Sequence, residues 1–511
     1  MLFNSYEFLC FFFPLTCALF FALCATGWPR AAAGWLGLMS LVFYGYWSPR
    51  YVLLLLASIV VNFFLGQLLL KCRAGESRLR AKHVLIAAVT ANLATLAYFK
   101  YANFFVASFR EASGLDIHIA QIVLPIGISF FTFTQIAFLV DTFQGKVREA
   151  RFVPYLLFVS YFPHLIAGPV LHHAEMMPQF GKAETYRFKI DNVVSGMALL
   201  GIGLFKKVIL ADGIQPFVAP AFDGPTAQLL TGFEAWGGVL AYSLQLYFDF
   251  SGYSDMAIGL SRVFNVELPL NFASPYRAWN ISEFWRRWHM TLSRFLRDYL
   301  YFPLGGNRHG KLRRYFNLMV TMLLGGLWHG AGWTFVIWGG LHGFYLVINH
   351  AWQAATGNIP GAQRWLDSRF ATAAGVLVTF VAVTIAWTFF RATSFDAALR
   401  MLTAMSGANG WTLPTEWRGT LGTLAGSFRF DDLTAFAGTR QVGWIAALLA
   451  MAWLCPNSQE IMATLSRWRP LDAHVRATLG WSAFGALATT VMLLAIVSAS
   501  RGISEFIYFN F

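Results

Sequence analysis

Residues 316–349 read FNLMVTMLLGGLWHGAGWTFVIWGGLHGFYLVIN. The last charged residue before this stretch is Arg314, and no Asp, Glu, Lys or Arg follows up to residue 349. About 20 apolar residues suffice for a helix to cross a bilayer, so the run is long enough to hold more than one helix. Glycines at 325, 326, 330 and 332 leave room for an irregular backbone or a ligand. Two histidines lie in the run. His342, like His350 just beyond it, is placed near a membrane end and reads as an interfacial residue. His329 is different. At 1.5 Å per residue a continuous helix carries it about 22 Å past Arg314, well inside the membrane. An ionisable side chain at that depth is costly, which marks His329 as a candidate general base.

The rest of the chain agrees with a membrane reading. Of 511 residues, 57% are hydrophobic and only 12% charged, against roughly 25% charged in soluble domains. That excludes a soluble globular enzyme and a disordered chain. Apolar runs recur near 8–26, 31–48, 51–70, 83–106, 121–141, 153–171, 192–211, 229–262, 316–349, 373–391, 442–455 and 479–499. The expectation is an all-α polytopic integral membrane protein with about 11 to 13 membrane helices, the 229–262 and 316–349 runs each holding more than one. No internal repeat or linker divides it. It is therefore read as one domain, 1–511, with N-terminal helices over 1–120, a core over 121–392 and a C-terminal loop and helices over 393–511. The 393–440 stretch reads as a loop with one or two short helices.

The formal net charge is +13, and its placement sets the topology. Lys71, Arg73, Arg78, Arg80 and Lys82 face only Glu76, and the next basic loop carries Lys146, Arg148 and Arg151. Both loops fall on one side, which should be cytoplasmic, with the amino terminus outside. No soluble basic domain is visible, so nucleic acid is not an expected partner. Cys10, Cys17 and Cys24 share one helical face and read as small packing residues rather than a disulfide framework.

A second region carries chemistry. Asn280 can cap a helix with Glu283 in the capping-box position. From there Ile281, Phe284, Trp285, Trp288, Leu292, Phe295, Leu296 and Tyr299 recur at helical spacing, opposite Arg286, Arg287, Arg294 and Arg297. One amphipathic helix is expected, ended by Pro303 and the glycines after it. The region 277–314 holds nine basic residues against Glu283 and Asp298 alone. Such a surface either lies in the interface against anionic lipid or docks a phosphate-bearing acyl donor such as a coenzyme A thioester. His289 sits on the apolar face of this helix. Asp249 and Asp255, in the 247–255 stretch, are a further pair of costly acids. They orient a histidine, line a polar tunnel, or cap a break near Gly252. His172 and His173 are adjacent and do not make a metal site, and no metal is expected. No phosphate-binding loop, dinucleotide fingerprint or nucleophile elbow is present.

These residues resemble the membrane-bound O-acyltransferase family, and within it the bacterial alginate O-acetyltransferase branch. The resemblance rests on Leu124–Phe130, on Phe162–Pro169, on Phe284-Trp285-Arg286-Arg287-Trp288-His289-Met290-Thr291-Leu292-Ser293 and on Leu327-Trp328-His329-Gly330, in that order. One departure is His164, where relatives often have Gln. The resemblance implies a ring of tilted helices around a thin centre with a cytoplasmic funnel. It makes His329 the catalytic histidine and places His289 in the same tunnel. Trp285, Arg286, Arg287, Asn280, Trp328, Asp249 and Asp255 are the candidates to bind the donor or line that tunnel. It further implies acetyl-CoA or another acyl thioester as donor, with no tightly bound cofactor. The implied setting is the bacterial inner membrane. The acetyl group would pass to an extracytoplasmic SGNH or serine hydrolase-like partner and on to a polysaccharide. Acylation of another surface polymer, by cellulose acetylation or teichoic acid D-alanylation, uses a similar scaffold. A transporter is the rival outside the family.

Overall fold

The computed structural model describes all residues except 118, 148–149, 225–228, 358, 361–363, 365, 423–425, 427–428, 468–472, 503 and 508–511. Arg148, counted above for topology, lies outside the described residues. The protein is helical almost throughout. Among the described residues the only strands form a short parallel ribbon, in which Thr412–Pro414 pairs with Arg429–Asp431 inside the stretch read as loop and short helices.

The chain's contacts group it into two compact units. One unit holds Met1–Phe205, Gly252–Leu270 and the C-terminal residues from Met462, and the other holds Lys206–Ser251 and Asn271–Ile461.

In the first unit, prolines open helices where a missing N–H costs nothing, at Pro29–Trp47 and Pro49–Ala74. The second of these ends at Gly75, whose φ of 78° accepts the left-handed turn that closes the helix onto the Lys71 carbonyl. Phe3, Phe8, Phe12, Phe43 and Phe162 form an aromatic core with neighbouring ring centroids 5.0–6.0 Å apart. Asn62 and Asn92 satisfy one another by reciprocal amide bonds of 3.1 and 2.6 Å. His164 is buried in this unit. The five cysteines are free.

A break near Gly252 was one of the alternatives for the run 229–262. The run is instead one helix, Gly232–Val263. Gly252 and Gly259 are crossing points in the first unit. A Cβ on Gly203 would sit 2.6 Å from the Gly252 carbonyl, and one on Gly196 would sit 2.6 Å from the Gly259 carbonyl. The equal seven-residue spacing lets two antiparallel helices touch backbone to backbone, as small residues do in membrane bundles.

Six helices among the described residues are long and apolar enough to cross a membrane, fewer than the apolar runs suggested. They are Glu7–Ala25, Pro49–Ala74, Ala81–Ser113, Ile190–Phe222, Arg369–Arg391 and Gly480–Ser500. The remaining runs form helices that are short, such as Phe152–Ser160, or interrupted by polar side chains, such as Gly232–Val263.

In the second unit the 316–349 run is a tight hairpin. Gly310–His329 and Trp333–Thr356 are its two helices, and the turn falls at Gly330–Gly332. A Cβ on Gly326 would meet the Phe335 carbonyl at 2.2 Å, and one on Gly339 the Met322 carbonyl at 2.2 Å. Only hydrogen fits between these backbones.

Candidate active site

His329 is the last residue of its helix, and Gly330 leaves the helix in an extended conformation. The glycine contacts of the hairpin lock that terminus in place. His329 is 5% exposed. Its ring lies 5.0 Å from Trp328, 4.9 Å from Trp338 and 5.3 Å from Phe390 between centroids.

His289 arrives by a different route. The single amphipathic helix expected over 281–299 is two short ones, Ile281–Arg287 and Met290–Leu296, followed by a widened turn over Arg297–Tyr301. The break is at His289, whose φ of 42° and ψ of 52° place it in the left-handed region. A non-glycine residue there is strained and persists only when its surroundings over-determine it. Asn271 supplies that determination. Its side-chain oxygen lies 3.0 Å from His289 Nδ1 and accepts from the Thr291 hydroxyl at 2.9 Å and the Thr291 N–H at 3.3 Å. Its carbonyl accepts the Met290 N–H at 3.0 Å. The strand-like pairing continues, with the Ala273 N–H donating to the Arg287 carbonyl at 2.9 Å. The Tyr276 hydroxyl ties the same segment to the Ser243 carbonyl at 2.6 Å.

This grip has a chemical result. An amide oxygen only accepts, so His289 must carry its proton on Nδ1 and present a lone pair on Nε2. His289 is 0% exposed, and its ring is 6.3 Å from that of His329. Residues forty positions apart are thus joined in one buried cluster with Trp328, Phe250 and Trp338.

The other candidates divide. Trp328 is in the cluster, and Trp285 packs against Trp338 at 5.9 Å. Asn280 is the helix cap that its sequence position indicated, accepting the Glu283 N–H at 2.9 Å, and it also lines a cavity of about 660 Å³ with Trp279, Tyr345, Asn349, Trp352 and Gln353. Arg287 is held by Glu283 at 2.7 Å and by the Ala273 carbonyl at 3.3 Å, while Arg286 has a side chain 77% exposed. Asp249 pairs with Lys207 at 2.8 Å, and Lys207 also pairs with Asp212 at 2.9 Å. Asp249 therefore belongs to a buried ion cluster. Asp255 belongs to the first unit. His342, expected at an interface, is 0% exposed. Among the described residues no group of three or more His, Cys, Asp or Glu side chains could hold a metal ion.

The family model of the membrane-bound O-acyltransferases matches residues 88–395, which contain both histidines. The chain belongs to the membrane-bound O-acyltransferase family. It is therefore a polytopic membrane O-acyltransferase. The chain is 43% identical to "Peptidoglycan O-acetyltransferase" of Helicobacter pylori over 81% of each chain. It is 36% identical to "Probable alginate O-acetylase AlgI" of Pseudomonas aeruginosa over the full length of both. A more distant relative, "Teichoic acid D-alanyltransferase" of Bacillus subtilis, is 28% identical over 50% of this chain and 65% of its own.

Proposed function

We propose that this protein takes acetyl groups from a cytoplasmic donor, acetyl-CoA, and relays them across the inner membrane for O-acetylation of a cell-envelope polysaccharide. One observation carries the reading: a chain with O-acetylating relatives brings two buried histidines to 6.3 Å from one another. The cavity beside the basic amphipathic segment is the donor's way in. Its volume suits a thioester arm. His329 takes the proton of an acceptor hydroxyl as that oxygen attacks the thioester carbonyl. The carbon–sulfur bond breaks, the carbon–oxygen ester bond forms, and the proton passes to the departing thiolate. His289, fixed by Asn271, holds the reacting oxygen's side of the site. The hydroxyl is presented by an extracytoplasmic serine hydrolase-like partner, which completes the transfer to the polymer.

Alginate is the acceptor named for relatives that match over their whole length, and peptidoglycan is named for one at higher identity. Both are O-acetylated glycans, and the same experiment separates them. Ester-linked acetate is measured on exopolysaccharide and on peptidoglycan in wild-type cells and in His329→Ala cells, with membrane levels matched by blot. Acetate lost from one polymer names the acceptor. Acetate unchanged on both at equal protein level overturns the reading.

A further inference from the structure

His342 is fully buried, and among the described residues neither of its ring nitrogens has a hydrogen-bond partner. Two indoles beside it share that condition. Trp338 lies 4.8 Å and Trp285 5.1 Å from the His342 ring, and the Nε1 atoms of both are buried without a partner. Buried polar groups in folded proteins are bonded, so four such atoms in one cage call for a bound polar group. Backbone geometry fixes the cage. His342 stands between Gly339 and Gly343, both pressed against the partner helix of the hairpin.

The cage is well placed. Trp338 touches it on one side and lies 4.9 Å from His329 on the other. At its far side the rings of His342 and Tyr345 are 5.8 Å apart, and Tyr345 lines the cavity of about 660 Å³. Tyr345, His342, Trp338 and His329 are therefore in ring contact one after the next, from the wall of that cavity to the histidine cluster.

The chemistry of the cage selects its ligand. A neutral imidazole offers one donor and one acceptor, and two indoles add two donors. Three donors and one acceptor, without a charged member, suit a secondary amide, whose carbonyl takes two of the donors and whose N–H meets the acceptor, leaving one indole N–H over. The arm of coenzyme A carries such amides. The nearest is two methylene carbons from the thioester sulfur, a reach of about 5 Å from ordinary bond lengths. That is the scale of one indole. We infer that His342, with Trp285 and Trp338, is the site that holds the first amide of the donor's thioester arm and so sets its carbonyl at His329. The inference rests on the acetyl-CoA reading above.

The test uses the full chain in lipid nanodiscs, with acetyl-CoA binding measured by calorimetry. His342→Phe keeps the ring and removes both nitrogens. Its dissociation constant should rise about tenfold, the worth of one or two hydrogen bonds. His342→Gln, which restores a donor and an acceptor, should recover most of that loss. Trp338→Phe removes a single donor and should weaken binding about threefold. A melting temperature equal to or above wild type for His342→Phe shows that the loss is not unfolding. If wild type binds acetyl-CoA and both His342→Phe and Trp338→Phe bind it equally well, the cage is overturned while the donor reading stands. If wild type binds no acetyl-CoA, the donor reading fails and takes the cage with it.

Discussion

The two histidines of the site reach one cluster by opposite means. His329 is set by regular structure: it ends a helix, and glycine contacts fix that end to its neighbour. His289 is set by irregular structure, at a left-handed break that a single asparagine side chain holds shut. The first arrangement is cheap and rigid. The second stores on the order of 1–3 kcal/mol of backbone strain, which the Asn271 bonds must offset. The difference shows where a protein keeps a lone pair aimed: the helix end positions a ring, and the strained break also chooses its tautomer.

Substitutions can break or sharpen that contrast. His329→Ala should have the largest effect, lowering acetyl transfer by about 10²–10⁴-fold at unchanged membrane level, read as ester-linked acetate on the polymer. Asn271→Ala should come next. It frees the His289 ring and its backbone, and a displacement of about 1 Å is worth roughly a hundredfold in rate. Asn271→Asp keeps an acceptor for Nδ1 and should recover much of that activity. His289→Gly should divide activity from stability. It removes the imidazole but relaxes the left-handed backbone, so transfer falls while stability falls by about 1 kcal/mol less than in His289→Ala, which opens the same cavity without that relief. A thermal melt of the purified protein beside a transfer assay reads both. Arg286→Ala should be smallest, within about 0.5 kcal/mol in stability, because its side chain is 77% exposed. A large loss of transfer in Arg286→Ala would instead assign the outer arginine to donor docking.

The same contrast explains what could be read in the sequence. Features written in neighbouring residues were legible. The apolar runs, the Asn280 cap, the glycine break after His329 and the burial of His329 all follow from local spacing. Features written in distant pairs were not. A 3.6-residue period runs smoothly through Trp288 and His289 and gives no sign of the break, because the cause is Asn271, far from it in sequence. Gly252 looked like a helix break and is a helix crossing, since its partner Gly203 lies on another segment. Asp249 looked like a companion for a histidine, and its partner is Lys207. His342 looked interfacial because the run seemed near its end there. Only the hairpin, which folds the run back on itself, encloses it.

The Lys207 cluster bears on how the chain is made. Lys207 and Asp212 lie on one apolar span, Ile190–Phe222, and pair at 2.9 Å. Asp212 is thus made on the same span as Lys207, and before Asp249. A lysine answered on its own span costs less in the bilayer than a bare one, and Asp249 adds a second carboxylate to the same ammonium from a later segment.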